Sequence, residues 1–358
     1  MTNIKKLGLS ALAGSLVAVS AQAGEMSVTG SANVTYVTGK DDNTGKAIGT
    51  DKDVAFTGTG ELDNGWTFTV STLLTDAYSV SSSYTSLTMG SLGTVSFGTD
   101  TGGANYKYDE EVPQAYEQMS DAQQTTANRV GTIHDSNMIV YNSPSFDLGG
   151  ITASFDLEYS PGANSSGVND GGSATNDDNY GSATGAGVTL SYDALKFGIY
   201  GAEIERTSNN PGAQNDVFEG AWYVNYSFGP VSIGYTESYM DSGANGAAEA
   251  VTTAKDAATG NTRTANGFFE GEQMSIAFNV NENFSVSYTE SEETYDPQSH
   301  DGIATAPLDV TQKVEGIQAA YSMGAMSIKA YKIDVTNPAF DEDAADKTAT
   351  EIALGLAF

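Results

Sequence analysis

Cysteine is absent from the 358-residue chain, so neither a disulfide framework nor thiol chemistry is available to it. Histidine occurs only twice, at His134 and His300 in unrelated polar stretches, which leaves little for acid–base catalysis. Basic residues are few. Fifteen Lys plus Arg face 46 Asp plus Glu, and a net charge of -31 opposes nucleic-acid binding. Neither a G-x-S-x-G elbow nor a G-x-x-x-x-G-K-S/T loop is found, so two common catalytic and phosphate-binding devices are missing. After residue 23 no apolar run is long enough to cross a membrane as a helix.

What is present is alternation. Residues 1–23 stand apart: Lys5 and Lys6 precede the apolar run Leu7 to Ala21, and Ala21-Gln22-Ala23 gives a small-x-small cleavage pattern. They read as a secretory signal peptide, to be set aside in reasoning about the fold of 24–358. From Met26, the residues Met26, Val28, Gly30, Ala32, Val34 and Tyr36 share one face, with Ser27, Thr29, Ser31, Asn33 and Thr35 opposite. That period of two is a strand. It recurs near 51–60, 66–75, 83–90, 93–98, 136–143, 151–159, 184–192, 195–204, 217–228, 231–239, 268–279, 283–291, 313–323, 326–335 and 347–358. The count is sixteen. In 326–335 the alternation would set Lys332 and Asp334 on the face of Ile328, so either the strand has left the bilayer there or the frame shifts, with a bulge expected near Ala330.

The connections are sorted by length. Those at 61–65, 90–93, 193–194, 229–230, 280–282 and 324–325 are short, whereas 39–50, 99–135, 160–183, 205–216, 240–267, 292–312 and 336–346 are long and mostly polar; 144–150 on the short side and 76–82 on the long side are of medium length. In hydrocarbon every backbone polar group needs an internal partner, so strands can cross a membrane only as a closed cylinder. Short turns at one end, long loops at the other and one apolar face per strand predict an all-β, 16-stranded antiparallel transmembrane β-barrel in the cell outer membrane. The last strand, with Ile352, Leu354, Leu356 and Phe358 on one face, is expected to pair with the first and close it. Tyr36, Trp66, Tyr159, Phe228, Tyr235, Phe284 and Phe358 lie near strand ends, as interfacial belts require. The opposite face, rich in Ser, Thr, Asn and carboxylates, is expected to meet water.

The loop 99–135 is too long to lack a role. Asp100, Asp109, Glu110, Glu111, Glu117, Asp121 and Asp135 outnumber Lys107 and Arg129 in it. Val112, Ala115, Tyr116 and Met119 have helical spacing within 110–124, a stripe suited to docking on an inner wall. Folded inward, the loop would narrow the pore and line it with acid. Candidate opposing cations are Lys52, Lys196, Arg206, Arg263, Lys313 and Lys329; parity aims Lys196 and Lys329 at the lumen. A cation-preferring, water-filled pore for small hydrophilic solutes follows. The alternative is a substrate-selective channel in which Tyr106, Tyr108, Tyr116, Tyr200 and Tyr223 line a solute path. No cofactor is called for. The acidic stretches Asp177-Asp178 and Asp341-Glu342-Asp343 offer carboxylates for calcium bridging to lipopolysaccharide phosphates, but they lack dedicated calcium-loop spacing and read as solvated loops.

The leader, the first strand M-S-V-T-G-S-A-N-V-T-Y, the G-S-L-G turn before V-S-F-G, the acidic loop after the fifth strand and the closing L-G-L-A-F together resemble the Gram-negative general diffusion porins, in particular the alphaproteobacterial type. The resemblance covers 24–358. It implies a homotrimer in contact with outer-membrane lipid and lipopolysaccharide, and a loop folded into the lumen facing an arginine-lysine cluster. It also implies that Leu354, Leu356 and Phe358 are read by the barrel-insertion machinery. The chain departs from the family pattern in the thinness of that cluster, and Thr99-Asp100-Thr101-Gly102-Gly103 stands where a P-E-F-G-G-type motif is usual.

Overall fold

The computed structural model describes residues 24–40, 47–75, 79–99, 107–109, 111–122, 125, 130, 138–162, 180–206, 216–241, 253–255, 262–264, 267–297 and 309–358. The expected leader, His134, His300 and Asp177-Asp178 lie outside the described residues. The strands are β1 (Met26–Lys40), β2 (Ile48–Glu61), β3 (Thr67–Leu74), β4 (Val80–Thr88), β5 (Thr94–Thr99), β6 (Met138–Asn142) and the two-residue β7 (Phe146–Asp147). Next come β8 (Thr152–Ser160), β9 (Tyr180–Tyr192), β10 (Leu195–Arg206), β11 (Val217–Phe228), β12 (Val231–Asp241) and a small hairpin, β13 (Thr253–Lys255) with β14 (Thr262–Thr264). The chain ends with β15 (Gly267–Asn281), β16 (Phe284–Pro297), β17 (Val310–Met323), β18 (Met326–Thr336) and β19 (Lys347–Ala357).

Leaving out β7 and the separate β13–β14 hairpin, sixteen strands form one antiparallel wall in which each neighbours the next in sequence. The wall closes where β19 pairs with β1, from Ser31 opposite Ala357 to Lys40 opposite Thr348. Phe358 and Gly30 exchange two backbone hydrogen bonds at 3.0 Å, so the terminal aromatic residue is stitched into the seam. No edge is left to protect. Short turns use left-handed backbone where a few residues must reverse a strand, as at Gly65 (φ 80°) and Gly324 (φ 59°).

Paired residues share a face, so the register sorts the whole wall. Val28, Val34, Tyr36, Phe56, Val70, Ile233, Ile276, Ile317, Ile352 and Leu354 are large, exposed and outward, which is the lipid-facing band. Above it the outer face of β12 and β15–β18 turns acidic. Glu237, Glu272 and Glu292 stand opposite one another in one row, and Glu290, Glu315 and Asp334 in the next. Like charges directly opposite destabilise a sheet. Lys313 relieves both rows, contacting Glu290, Glu292 (3.3 Å) and Glu315 (3.0 Å).

The expected bulge near Ala330 is absent. Pairing of β18 with both neighbours is unbroken, so Lys332 and Asp334 stay outward, 3.9 Å apart at the level of the acidic rows. Tyr331, Ile333 and Val335 therefore point inward and are buried. They have something inside to pack against.

Candidate functional site

The interior partner is the loop between β5 and β6. Of its length, residues 107–109 and 111–122 give a nearly continuous path along the inner wall. Lys107 Nζ donates to Asp156 on β8 at 2.6 Å, and the Tyr108 hydroxyl donates to the same carboxylate at 3.1 Å. The Tyr108 ring stacks on Tyr200 of β10 with centroids 5.4 Å apart. Glu111 accepts from Lys196 Nζ at 3.3 Å, and its carbonyl accepts from Asn225 Nδ2 of β11 at 2.9 Å. Ser275 of β15 donates to the Pro113 carbonyl at 2.6 Å. Ala115 N donates to Ser287 of β16 at 3.0 Å, and Tyr116 N to Gln318 Oε1 of β17 at 2.9 Å. Finally the Tyr116 hydroxyl donates to Glu351 of β19 at 2.7 Å, and Met119 packs with Tyr331 and Ile333.

These bonds explain why the stripe at 110–124 is not a helix. The N–H groups of Ala115, Tyr116 and Met119 are taken by side chains (Ser287, Gln318 and Gln114) and not by carbonyls four residues back. Among the described residues of 110–124 only the turn Met119–Asp121 is helical, and it is 3-10. The apolar members of the stripe nevertheless do what docking requires: Tyr116 and Met119 lie against the β17–β18 wall.

Three inward glycines make the seat. A Cβ on Gly187 of β9 would strike the Tyr108 ring. One on Gly234 of β12 would strike Pro113, and one on Gly316 of β17 would come within 2.7 Å of the Met119 sulfur. The loop lies in the shallow track these residues leave open. Burial raises the Tyr108 and Tyr116 phenols above their ordinary pKa; a bond to Glu351 acts second for Tyr116.

Of the six cations expected to oppose the loop, the four whose side chains are described do not stand across from it. Lys196 is inward but on the loop's own wall, bonded to Glu111 and 5.0 Å from the Tyr223 ring centre. Lys329 is also inward and sits 5.1 Å from the centre of the Tyr116 ring. Lys52 pairs with Ala32 and so faces outward with Val54 and Phe56, which corrects the expectation that it opposes the loop. Lys313 is likewise outward, among the glutamates. The side chains of Arg206, Arg263 and Asp121, together with Asp100 and Glu110 entire, lie outside the described residues. Asp109 and Glu117 are on the seated path, where the Glu117 carbonyl accepts from Gln318 Nε2 at 2.6 Å and the Asp109 carbonyl from Gln118 Nε2 at 3.3 Å.

On β1–β5, across the lumen, the inward side chains follow from register. They include Ser31, Asn33 and Thr35 on β1, Asp51, Asp53, Thr57 and Glu61 on β2, Thr69 and Ser71 on β3, Tyr84 and Ser86 on β4, and Ser96 on β5. Among the described residues this wall has no inward Lys or Arg. Where the resemblance implies an arginine-lysine cluster, the described residues of this wall present mainly hydroxyls and the carboxylates of Asp51, Asp53 and Glu61. Sequence reasoning had not singled out Asp51 and Asp53, although their alternation with Lys52 and Val54 carried the signal.

A closed sixteen-strand wall with one long loop laid along its inside defines a class: an outer-membrane channel. Comparison with known proteins gives the family. Residues 8–358 match the model of the Gram-negative porins. The anion-selective porin from Comamonas acidovorans superposes with a TM-score of 0.62 at 14% identity, covering 94% of this chain and 100% of that one. Salmonella typhi OmpF, solved in complex with daunomycin, gives 0.66 at 12% identity over 94% and 98%. Vibrio cholerae OmpT gives 0.62 at 10% identity over 94% and 98%. No curated protein sequence matches. The chain belongs to the Gram-negative porin family: it is an outer-membrane β-barrel and a porin-type diffusion channel.

Proposed function

We propose that the channel is a water-filled pore preferring cations, through which small hydrophilic solutes and ions diffuse passively, and that it works as a homotrimer. The observation that carries the preference is the charge of the open wall. Asp51 and Asp53 face the lumen from β2, while Lys196 and Lys329 are held against the loop on the far side and the third inward lysine of the described wall, Lys347, stands at the long-loop end of β19. A wide lumen lined by fixed negative charge enriches cations and repels anions, an effect that fades once salt shortens the Debye length below about 10 Å. The loop acids Asp100, Asp109, Glu110, Glu111, Glu117 and Asp121 add to the same sign. The seated loop acts as the inner constriction.

The rival, a channel selective for one nutrient along an aromatic track, loses most of its residues: Tyr108 of the loop is buried against Tyr200 and Tyr223 of the wall. The homotrimer is supported by the outer surface. On β1–β5 the described outward side chains are uncharged except Lys52, whereas β12 and β15–β18 carry the acidic rows. The neutral side suits contact between copies, and the charged side suits the lipopolysaccharide layer. Leu354, Leu356 and Phe358, at the closing seam, are proposed as the signal for the insertion machinery. The reversal potential of single channels across a salt gradient tests the reading. Cation preference is expected, and clear anion preference would sink it.

A further inference from the structure

A second element enters the barrel. The β18–β19 connection reads in sequence as a polar, solvated loop, yet its first residues turn inward. Pro338 and Phe340 are buried, Phe340 completely. The Phe340 ring stands 5.4 Å from Phe269 and 6.3 Å from Tyr295, which are themselves 5.0 Å apart, and Met240 packs against the group. Phe269, Tyr295 and Val310 are inward-facing residues at the long-loop ends of β15, β16 and β17. The chain thus leaves β18, passes over β17 on the inside and reaches β15 and β16. Two polar bonds pin the crossing: Asn337 Nδ2 donates to the Thr311 carbonyl and Ala339 N to Gln312 Oε1, both at 2.9 Å.

The backbone there is under load. Asn337, Ala339 and Phe340 have φ of 49°, 57° and 58°, a left-handed conformation that non-glycine residues adopt at a cost. A solvated loop would relax out of it. Burial of Phe340 among three inward apolar side chains supplies the compensating stabilisation.

We propose that residues 337–340 form an outer strap along the β15–β17 side of the long-loop mouth, anchored by Phe340, which narrows the entrance and sets an upper size limit on solutes before they reach the inner loop. The strap and the inner loop pack on separate clusters of the same wall, so the sieve has two stages on one side and leaves the β1–β5 hydroxyl wall as the passage. This rests on the diffusion-pore reading but predicts something that reading alone does not, namely a size limit movable without touching the inner loop.

The test compares Phe340→Ala and Phe340→Leu with the wild type, by single-channel conductance and by swelling of proteoliposomes in neutral sugars from mono- to tetrasaccharide. Phe340→Ala is expected to raise conductance and to narrow the gap between small and large sugars, while Phe340→Leu keeps wild-type behaviour. Unchanged conductance and an unchanged sugar cut-off in Phe340→Ala would overturn the strap while leaving the pore intact. If that variant fails to form barrels, a short Gly-Ser turn replacing 337–343 is read the same way. A wild type that forms no channels at all would overturn both readings.

Discussion

Gly234 is where a single methyl group should move the inner loop. Its Cβ would stand 3.2 Å from the Val112 Cα and nearer still to the Pro113 ring and the Asn225 side chain. A proline ring and a backbone carbon have no rotamer by which to retreat, and the Asn225 amide is already committed to the Glu111 carbonyl at 2.9 Å. Carbon contacts settle near 3.5–4.0 Å, so in Gly234→Ala the loop must rise by roughly 1 Å toward the lumen. Overpacking of this kind costs about 1–3 kcal/mol. The rise also lengthens the Lys196–Glu111 contact, now 3.3 Å, but with both side chains partly exposed that pair contributes little to stability. Lower single-channel conductance is expected, with a lower melting temperature in detergent. Gly58→Ala serves as the control, because nothing lies within 4 Å of a Cβ there. Should Gly234→Ala conduct and melt like Gly58→Ala, the loop does not lie on β12 and the seat is wrong.

Removing the inward charge of Lys196 by Lys196→Met should increase cation preference with little loss of stability, as read from reversal potential and melting together. The Tyr116 phenol ionises above its ordinary value of 10.0, so its support for the folded loop is complete below that pH and is lost as pH rises beyond it. Current noise should accordingly stay level up to about pH 10 and grow above it, and Tyr116→Phe should abolish that rise. Glu272 stands between Glu237 and Glu292 on the outer face, so Glu272→Gln should raise the melting temperature at low salt and lose the gain at high salt. Phe358→Ala should reduce the amount of barrel reaching the outer membrane, measured by immunoblot of isolated membranes.

The wall was legible because its physics is local. Alternation in a strand such as Met26 to Tyr36 assigns every side chain to lipid or water without reference to any neighbour. Parity likewise aimed Lys196 and Lys329 inward, and the same rule applied to Val54 and Phe56 would have turned Lys52 outward. The inner site was less legible because its determinants are far apart in sequence. Nothing near Tyr108 announces that Gly187 will leave room for its ring, and helical spacing at 112–119 could not foresee the competition from Ser287 and Gln318. Phe340 escaped notice because a single aromatic residue in an acidic loop has no period to betray it. The neighbours that bury it, Phe269 and Tyr295, stand on strands paired far earlier in the chain.

The absence of cysteine makes the decisive measurement simple. Asn33→Cys, inward on β1 opposite Asp51, and Ser275→Cys, buried beneath Pro113, place one thiol on each side of the proposed passage. With a water-soluble methanethiosulfonate reagent added to open channels, current through Asn33→Cys should fall while Ser275→Cys stays unmodified. Block through Ser275→Cys with Asn33→Cys unaffected would mean that solutes travel along the other wall.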